Sequence, residues 1–170
     1  AFIPLGAWMP ELQRMIDLRN VLGLRSPIHS LARLLNPLQA RCGLQSIFHP
    51  GYQSVHRDAS QLLGDRVIVV KGEGGEIEVN PDSPCQLFGT SAQGIWNEEW
   101  PALSAQRHVK PAQLDPAKLL AVWHGHDTDE YGLQAITGSI ALALRGLGRT
   151  REEALEQARQ VWANRLTEAV

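Results

Sequence analysis

The sequence predicts an α/β domain in which a mostly parallel sheet is flanked by helices. The segment RVIVVKG at 66–72 is a continuous apolar strand, and strands buried on both faces are typical of parallel sheets. Apolar residues at helical spacing precede and follow it, and alternation of strands with helices indicates α/β architecture. The chain has 170 residues, 44% of them hydrophobic, which suffices for one domain with a sizeable core.

The part before this strand is predicted to be mainly helical. Apolar residues at helical spacing run from Pro10 to Leu22, with proline at the start and Gly23 at the end. The next predicted elements are a helix from Ser26-Pro27 to Asn36-Pro37, a strand at 44–48 and an amphipathic helix at 52–64.

The part after the strand begins with a glycine turn, and its first half is predicted to contain strands. The predicted elements are a strand at 76–79, a short strand at 85–90 and a loop over 91–112 packed by Trp96 and Trp100. Three helices follow, at 115–122, at 131–147 and from Thr150 onward, where Thr150 and Glu153 form a capping box. The sequence thus predicts about four strands in all.

Charge is distributed unevenly along the chain. Residues 1–57 carry six arginines against two acidic residues, a formal +4, so residues 58–170 carry −6. A basic front half favours an anionic ligand, because recognition depends on local charge. No apolar stretch is long enough to span a membrane, and we expect a cytoplasmic protein. Cys42 and Cys85 lack CxxC spacing, which favours buried thiols.

The segment LRNVLGLRSPIHSLARLLNPL at 18–38 is mainly apolar but contains Arg19, Arg25 and Arg33. A guanidinium matches a carboxylate or a phosphate, so these side chains suit one small anion or successive phosphates of a nucleic acid. Long basic side chains also cover apolar helices with their charges in water. The residues alone leave these interpretations open.

Two further stretches contain candidate metal ligands. In VVKGEGGEIEVNP, the carboxylates of Glu73, Glu76 and Glu78 suit Mg²⁺, or they are solvated side chains of a turn and an edge strand. WHGHDTDEYG at 123–132 combines histidines with carboxylates, which either ligate a metal or provide the N-cap of the following helix.

The segment RNVLGLRSPIHSLARLLNP at 19–37 resembles the motif R-K-x-L-G-x-R-T-x-F-N-x-L-G-P-L-x-N-P of the anthranilate phosphoribosyltransferase family, glycosyltransferase family 3. VIVVKGEGGEIEV is similar to the family's strand-and-turn segment, and residues 117–170 are similar to its closing helices. The resemblance implies that residues 1–170 are a partial, C-terminal piece of the family's α/β catalytic-type domain. Its N-terminal helical domain and glycine-rich loop are then expected outside this chain.

The departures from the family pattern concern its binding sites. The resemblance retains Arg19, which in the family helps to hold the anthranilate carboxylate. The family's histidine falls at Met9, and its Gly-Pro turn becomes Ala32-Arg33. The Asp-Glu pair that holds magnesium and the diphosphate sugar is not kept at 76–78. We therefore expect the anthranilate site to be lost and this segment to hold no cofactor, although Mg²⁺ is compatible with the full-length protein.

This pattern resembles a divergent branch of the family whose known theme is nucleic-acid binding by homodimers. The resemblance implies non-specific contact with phosphates through Arg14, Arg19, Arg25, Arg33 and Lys71. The expected partners are nucleic acid, a second copy and the missing N-terminal segment. The alternative is a phosphoribosyl or pentosyl transferase with an altered acceptor, using phosphoribosyl pyrophosphate with Mg²⁺ held by Glu76 or Glu78.

Overall fold

The computed structural model describes residues 3–72, 77–109, 113 and 115–165. The chain divides into two compact units, Ala1–Ala40 and Arg41–Val170. Among the described residues, no helix combines the length and apolar character that a membrane crossing requires.

The first unit consists of short helices. They are α1 (Leu5–Trp8), α2 (Pro10–Asp17), α3 (Arg19–Leu22) and α4 (Ile28–Leu31), followed by a 3₁₀ turn at Ala32–Leu34. The predicted helix from Pro10 to Leu22 is interrupted at Leu18, whose dihedrals stay helical (φ −56°, ψ −20°), so only the hydrogen-bond ladder breaks there. Gly23 then ends α3 at φ +69°, in the left-handed region that favours glycine.

None of residues 3–40 is fully buried. Large apolar side chains of this unit remain exposed, among them Val21 at 81% and Leu24 at 74%. The amphipathic pattern of the sequence is therefore present, but these helices do not close a core of their own.

The second unit is built on a four-stranded sheet in the order β1 (Gly43–Ile47), β2 (Val67–Lys71), β3 (Cys85–Ser91) and β4 (Gly94–Trp100). β1 and β2 are parallel, and α5 (Gln53–Leu63) makes the crossover that a parallel pair requires. β2 with β3 and β3 with β4 are antiparallel.

The two faces of the sheet bury different side chains. Ile68 and Val70 belong to the larger core cluster, together with alanines and Leu142 from α7 (Glu130–Gly146) and α8 (Arg151–Ala163). Val67 and Val69 form a smaller cluster with Ile47 and Phe88. Side chains alternate along β2, so Ile68 and Val70 lie on one face and Val67 and Val69 on the other, as a strand buried on both faces requires.

The three C-terminal helices begin at side-chain caps that the sequence predicts. Asp115 caps α6 (Pro116–His124) by accepting from the Ala117 N–H at 3.0 Å. Thr150 accepts from the Glu153 N–H, and Glu153 accepts in return from the Thr150 N–H, so the predicted capping box is confirmed. Asp129 caps α7 by accepting from the Gly132 N–H at 2.8 Å, which confirms the N-cap interpretation of that aspartate.

The predicted α/β class is confirmed, but the sheet is mixed, with one parallel and two antiparallel pairings. β3 lies antiparallel to β2 because no crossover helix occurs among the described residues between them. Two local predictions were wrong. Residues 77–79 form no strand, and the supposed loop over 91–112 contains β4, paired with β3 from Ser91↔Gly94 to Cys85↔Trp100.

Candidate functional site

Four of the predicted phosphate-binding residues lie in the first unit, and the fifth, Lys71, lies in the second. Arg14 is on α2, where it donates to Glu11 at 3.0 Å one turn earlier. Both side chains are about three-quarters exposed, at 74% and 75%. Such a surface pair is worth about 0–1 kcal/mol, so Arg14 exchanges Glu11 for a stronger anion at little cost.

Arg19 and Arg25 are the most available arginines of the predicted set. Arg19 begins α3, and Arg25 lies in the connection that follows Gly23. Both residues are exposed, and neither forms an ion pair with any residue that the structure describes. Their charges are therefore open to an external anion.

Arg33 differs from these two. It lies in the 3₁₀ turn Ala32–Leu34, is half-buried and already interacts within the protein. The sequence pattern placed it in one run with Arg19 and Arg25, but its environment is less accessible.

Lys71 is the last residue of β2 and is exposed. It lines a cavity of about 90 Å³ at the start of β3, together with Glu78, Asn80, Ser83 and Gln86. A cation and a carboxylate thus share one small cavity beside the carboxyl end of β2, where α/β folds commonly place ligands.

Of the predicted magnesium ligands, only Glu78 lies among the described residues. Glu76 lies outside the described residues, as does Glu73, and Glu78 is exposed. Within the part of the chain that the structure describes, no group of three or more histidine, cysteine, aspartate or glutamate side chains is placed to hold a metal ion. The rings of His124 and His126 stack on each other at a centroid distance of 5.9 Å.

Cys85 also lines the cavity beside Lys71. Burial raises the pKa of its thiol to about 11, because the thiolate is disfavoured away from water. The thiol therefore stays protonated at neutral pH, which makes it a poor nucleophile. The pKa of Cys42 is also raised, chiefly by burial. Both cysteines are free and partly buried, close to the buried thiols that the sequence predicts.

One group of exposed rings was missed by the sequence analysis. Phe48, His49 and Tyr52 follow β1 at its carboxyl end; Phe48 is 50% exposed and Tyr52 is 57% exposed. The Phe48 and His49 ring centroids are 4.9 Å apart, and those of His49 and Tyr52 are 6.4 Å apart. We call these three residues the aromatic edge. In the sequence, the residues FHPGY directly after the strand could have indicated this group of rings.

Another histidine is held in a structural pair. His108 donates its backbone N–H to Asp82 Oδ2 at 2.8 Å, and its Nδ1 lies 2.7 Å from Asp82 Oδ1. The hydrogen bond from the His108 side chain lowers the pKa of Asp82. The pair joins two loops of the second unit, and the ring of His108 also packs edge-on against Tyr131 at 5.4 Å.

No protein-family model matches the sequence. An uncharacterized protein of Aquifex aeolicus is 36% identical over 85 residues, which cover 49% of this chain and 28% of that protein. Anthranilate phosphoribosyltransferase of Prochlorococcus marinus is 30% identical over 119 residues, covering 69% of this chain and 30% of the enzyme. The matched segments thus cover less than a third of the length of each of these two relatives.

The fold is also found in a solved enzyme. Anthranilate phosphoribosyltransferase from Saccharomyces cerevisiae, in complex with 4-fluoroanthranilate, matches with a TM-score of 0.69 at 15% identity. The match covers 89% of this chain and 47% of the yeast chain. At this identity the match establishes the fold. Together with the sequence relatives, it confirms the predicted likeness to the C-terminal portion of that enzyme.

Proposed function

The chain is an anthranilate phosphoribosyltransferase-like protein, and we propose that it binds nucleic acid non-specifically and has lost the anthranilate site. The observation that carries this proposal is the state of Arg19 and Arg25. Both side chains are exposed, and no carboxylate that the structure describes neutralises either one. Exposed guanidinium groups without an internal partner suit phosphates, which they can contact without losing a native ion pair.

The charge of the first unit supports the same proposal. Residues 1–40 carry four arginines against Glu11 and Asp17, a formal +2, and the total of −2 leaves −4 for residues 41–170. A nucleic acid is a polyanion, so it is attracted by the net positive charge of the first unit and repelled by the net negative charge of the second. Phosphate contacts of this kind are independent of sequence, because the backbone presents the same charge at every nucleotide.

The proposed loss of the anthranilate site rests on the resemblance in the motif at 19–37. The family's Gly-Pro turn is replaced by Ala32-Arg33, and its histidine is replaced by Met9. A half-buried arginine replaces a compact turn, and a thioether replaces a ring that donates and accepts hydrogen bonds. Both changes remove groups suited to a small aromatic acid.

The test is a salt titration of binding to a fluorescein-labelled DNA duplex, followed by anisotropy. If two to four arginines contact phosphates, log Kd should depend on log salt concentration with a slope of about 2 to 4, because each contact releases counterions. Arg19→Gln and Arg25→Gln should each reduce the slope by about 1 and weaken binding to all sequences alike.

Arg159→Gln is the matched control. It removes the same charge from α8, where Arg159 is 67% exposed and pairs with Glu156 at 3.4 Å. This variant should leave the slope unchanged. Binding that does not respond to salt, or an equal loss in all three variants, would overturn the proposal.

A second candidate is a transferase that acts on an altered acceptor. The relatives named anthranilate phosphoribosyltransferase favour it, as does the cavity lined by Lys71 and Glu78 at the end of β2. In this proposal Lys71 contacts the phosphates of phosphoribosyl pyrophosphate and Glu78 contacts a magnesium ion. Hard carboxylate oxygens suit that ion.

The test of this second candidate is pyrophosphate release from phosphoribosyl pyrophosphate with and without Mg²⁺. Release that requires Mg²⁺ and falls in Lys71→Gln and Glu78→Gln would support a transferase. Equal release from both variants and the unmodified protein would exclude this site as its origin. Nucleic-acid binding is measured on the same preparations, so the two candidates are judged independently.

A further inference from the structure

The aromatic edge is exposed although the strand that leads into it is buried. Ile47 is 5% exposed, and the next residue, Phe48, is 50% exposed. Neither Phe48 nor Tyr52 belongs to the two core clusters of the described residues. The rings therefore add little to the two core clusters, and three rings within five residues remain available to a ligand.

The backbone holds these rings in place. Residues Pro50–Tyr52 form a 3₁₀ turn, and the Tyr52 N–H donates to the His49 carbonyl at 3.0 Å. α5 continues directly from this turn, so Tyr52 is fixed between a strand and a helix. Rings that are already positioned lose little conformational freedom when a ligand binds.

The rings meet edge to face and leave room for stacking. The planes of Phe48 and His49 make an angle of 87°, and those of His49 and Tyr52 make an angle of 63°. No pair within the aromatic edge is stacked face to face. A planar ligand can therefore lie on a ring without first separating two stacked rings.

A cation lies at the same end of the parallel pair. Lys71 is in register with Ile47, and the Gly72 N–H donates to the Ile47 carbonyl at 3.2 Å. The lysine is thus one residue removed from Phe48 across the strands, and it is exposed without an ion pair to any described residue. Aromatic rings and an ammonium group at the same end of two paired strands suit a chain of bases joined by phosphates.

We propose that the aromatic edge is a stacking platform for the unpaired bases of single-stranded nucleic acid, with Lys71 on the adjacent phosphate. This inference rests on the proposed nucleic-acid binding and narrows its ligand. Bases in a duplex are stacked on one another and present only their edges, so Phe48 and Tyr52 find a free base face only in a single strand.

The test compares labelled single-stranded oligothymidylate with a duplex of mixed sequence. The variant Phe48→Leu/Tyr52→Leu keeps apolar side chains but removes both flat faces. It should bind oligothymidylate at least about tenfold more weakly, with the salt slope unchanged, because stacking releases no counterions. Duplex binding should stay within about twofold of the unmodified protein, which separates lost stacking from a general defect.

Leu62→Ala is the control, since Leu62 is 89% exposed near the far end of α5 and has no ring. It should not alter either affinity. If the double variant is misfolded by circular dichroism, Tyr52→Leu alone replaces it, with a threefold or greater loss expected for the single strand. A direct second measurement is photocrosslinking of the unmodified protein to oligonucleotides containing 5-iodouracil. The crosslinked peptide should contain residues 48–52.

The outcomes distinguish failure of the platform from failure of nucleic-acid binding as a whole. If the protein binds nucleic acid with a salt slope but the leucine variants bind the single strand normally, the platform is wrong and the proposed function stands. Equal weakening on single strand and duplex, or crosslinks confined to other peptides, would also overturn the platform. If the unmodified protein binds neither the single strand nor the duplex, both the platform and the proposed function are wrong.

Discussion

Arg145 on α7 donates from Nε to Oε2 of Glu98 on β4 at 2.7 Å, and this contact joins the last helical hairpin to the sheet. The other oxygen of Glu98 accepts from Nε1 of Trp100 at 2.7 Å. The guanidinium of Arg145 also lies over the Trp96 ring, 4.4 Å from its centroid. One carboxylate thus orders an arginine and an indole that are 45 positions apart in sequence.

Glu98→Ala should therefore destabilise the protein by about 1–3 kcal/mol, because the Trp100 N–H loses its acceptor while the residue stays 1% exposed. Arg145 and Glu98 are each 26% exposed, so water compensates part of the lost ion pair. Urea unfolding followed by tryptophan fluorescence measures the change. Glu99→Ala, on the exposed side of the same strand, should cost less than about 0.5 kcal/mol; equal losses would contradict the assigned role.

Gly89→Ala should be costly for steric reasons. Gly89 is paired with Trp96 across β3 and β4, and a Cβ at this position would overlap the indole ring. Either the ring moves or the strands separate, and overpacking of this kind costs about 1–3 kcal/mol. Thermal unfolding of the variant tests it. Gly51→Ala, where nothing lies within 4 Å of the added carbon, should be nearly neutral.

A double-mutant cycle identifies the cause of the Gly89 effect. In a Trp96→Ala background the clash is removed, so Gly89→Ala should then cost less than in the unmodified protein. Additive losses in the cycle would show that the glycine is required by the backbone rather than by the ring.

The Asp82–His108 pair predicts a pH dependence. The hydrogen bond from His108 lowers the pKa of Asp82 below its value of 3.8, so the unfolded chain binds this proton more readily. The contribution is therefore fully present above the unfolded pKa and is lost as pH falls through the folded pKa, in the range below about 4. Unfolding free energies measured from pH 2 to 6 should show this decline, and Asp82→Asn should flatten it.

His108→Gln provides the reciprocal check on the same pair. It removes the ring that lowers the pKa of Asp82, so it should flatten the acid decline by a similar amount. The double variant should flatten it no further than Asp82→Asn alone. An unchanged acid profile in Asp82→Asn would show that the pair does not contribute to acid stability.

The buried thiol of Cys85 predicts slow alkylation. With a pKa of about 11, the thiolate is scarce at pH 8, so iodoacetamide should react with Cys85 far more slowly than with a model thiol of pKa about 8.5. The rate, measured by mass spectrometry of the labelled peptide, should rise with pH up to about 11 and should increase on addition of urea. Fast labelling in the folded protein at pH 8 would contradict the burial.

The sequence predicted the elements whose ends are marked locally. Gly64 ends α5 at φ +74°, and Asp115 and Thr150 begin α6 and α8, so these boundaries agree closely with prediction. β4 was missed because its recognition depends on a partner. Trp96 packs on Gly89 of β3, and this contact between two strands cannot be identified from the local sequence of either one.

For the candidate site, the sequence identified the charged residues but not their exposure or their ion pairs. Residue type identified Arg14, Arg19, Arg25 and Arg33 equally, whereas their environments differ, because Arg14 pairs with Glu11 and Arg33 is half-buried. Exposure and pairing depend on tertiary structure, so a count of arginines overstates the number of available cations. The aromatic edge was missed for the opposite reason, since aromatic residues beside a strand are usually core.

β4 forms one border of the four-stranded sheet, and polar side chains stand along it. Asn97 and Glu99 are exposed on this border, and Glu98 lies between them. Carboxylates on an outer strand oppose the approach of the same strand from another molecule, because the backbone groups could pair only if like charges came together. These charges therefore disfavour pairing of β4 with the same strand of another molecule, which protects the protein from aggregation through that border.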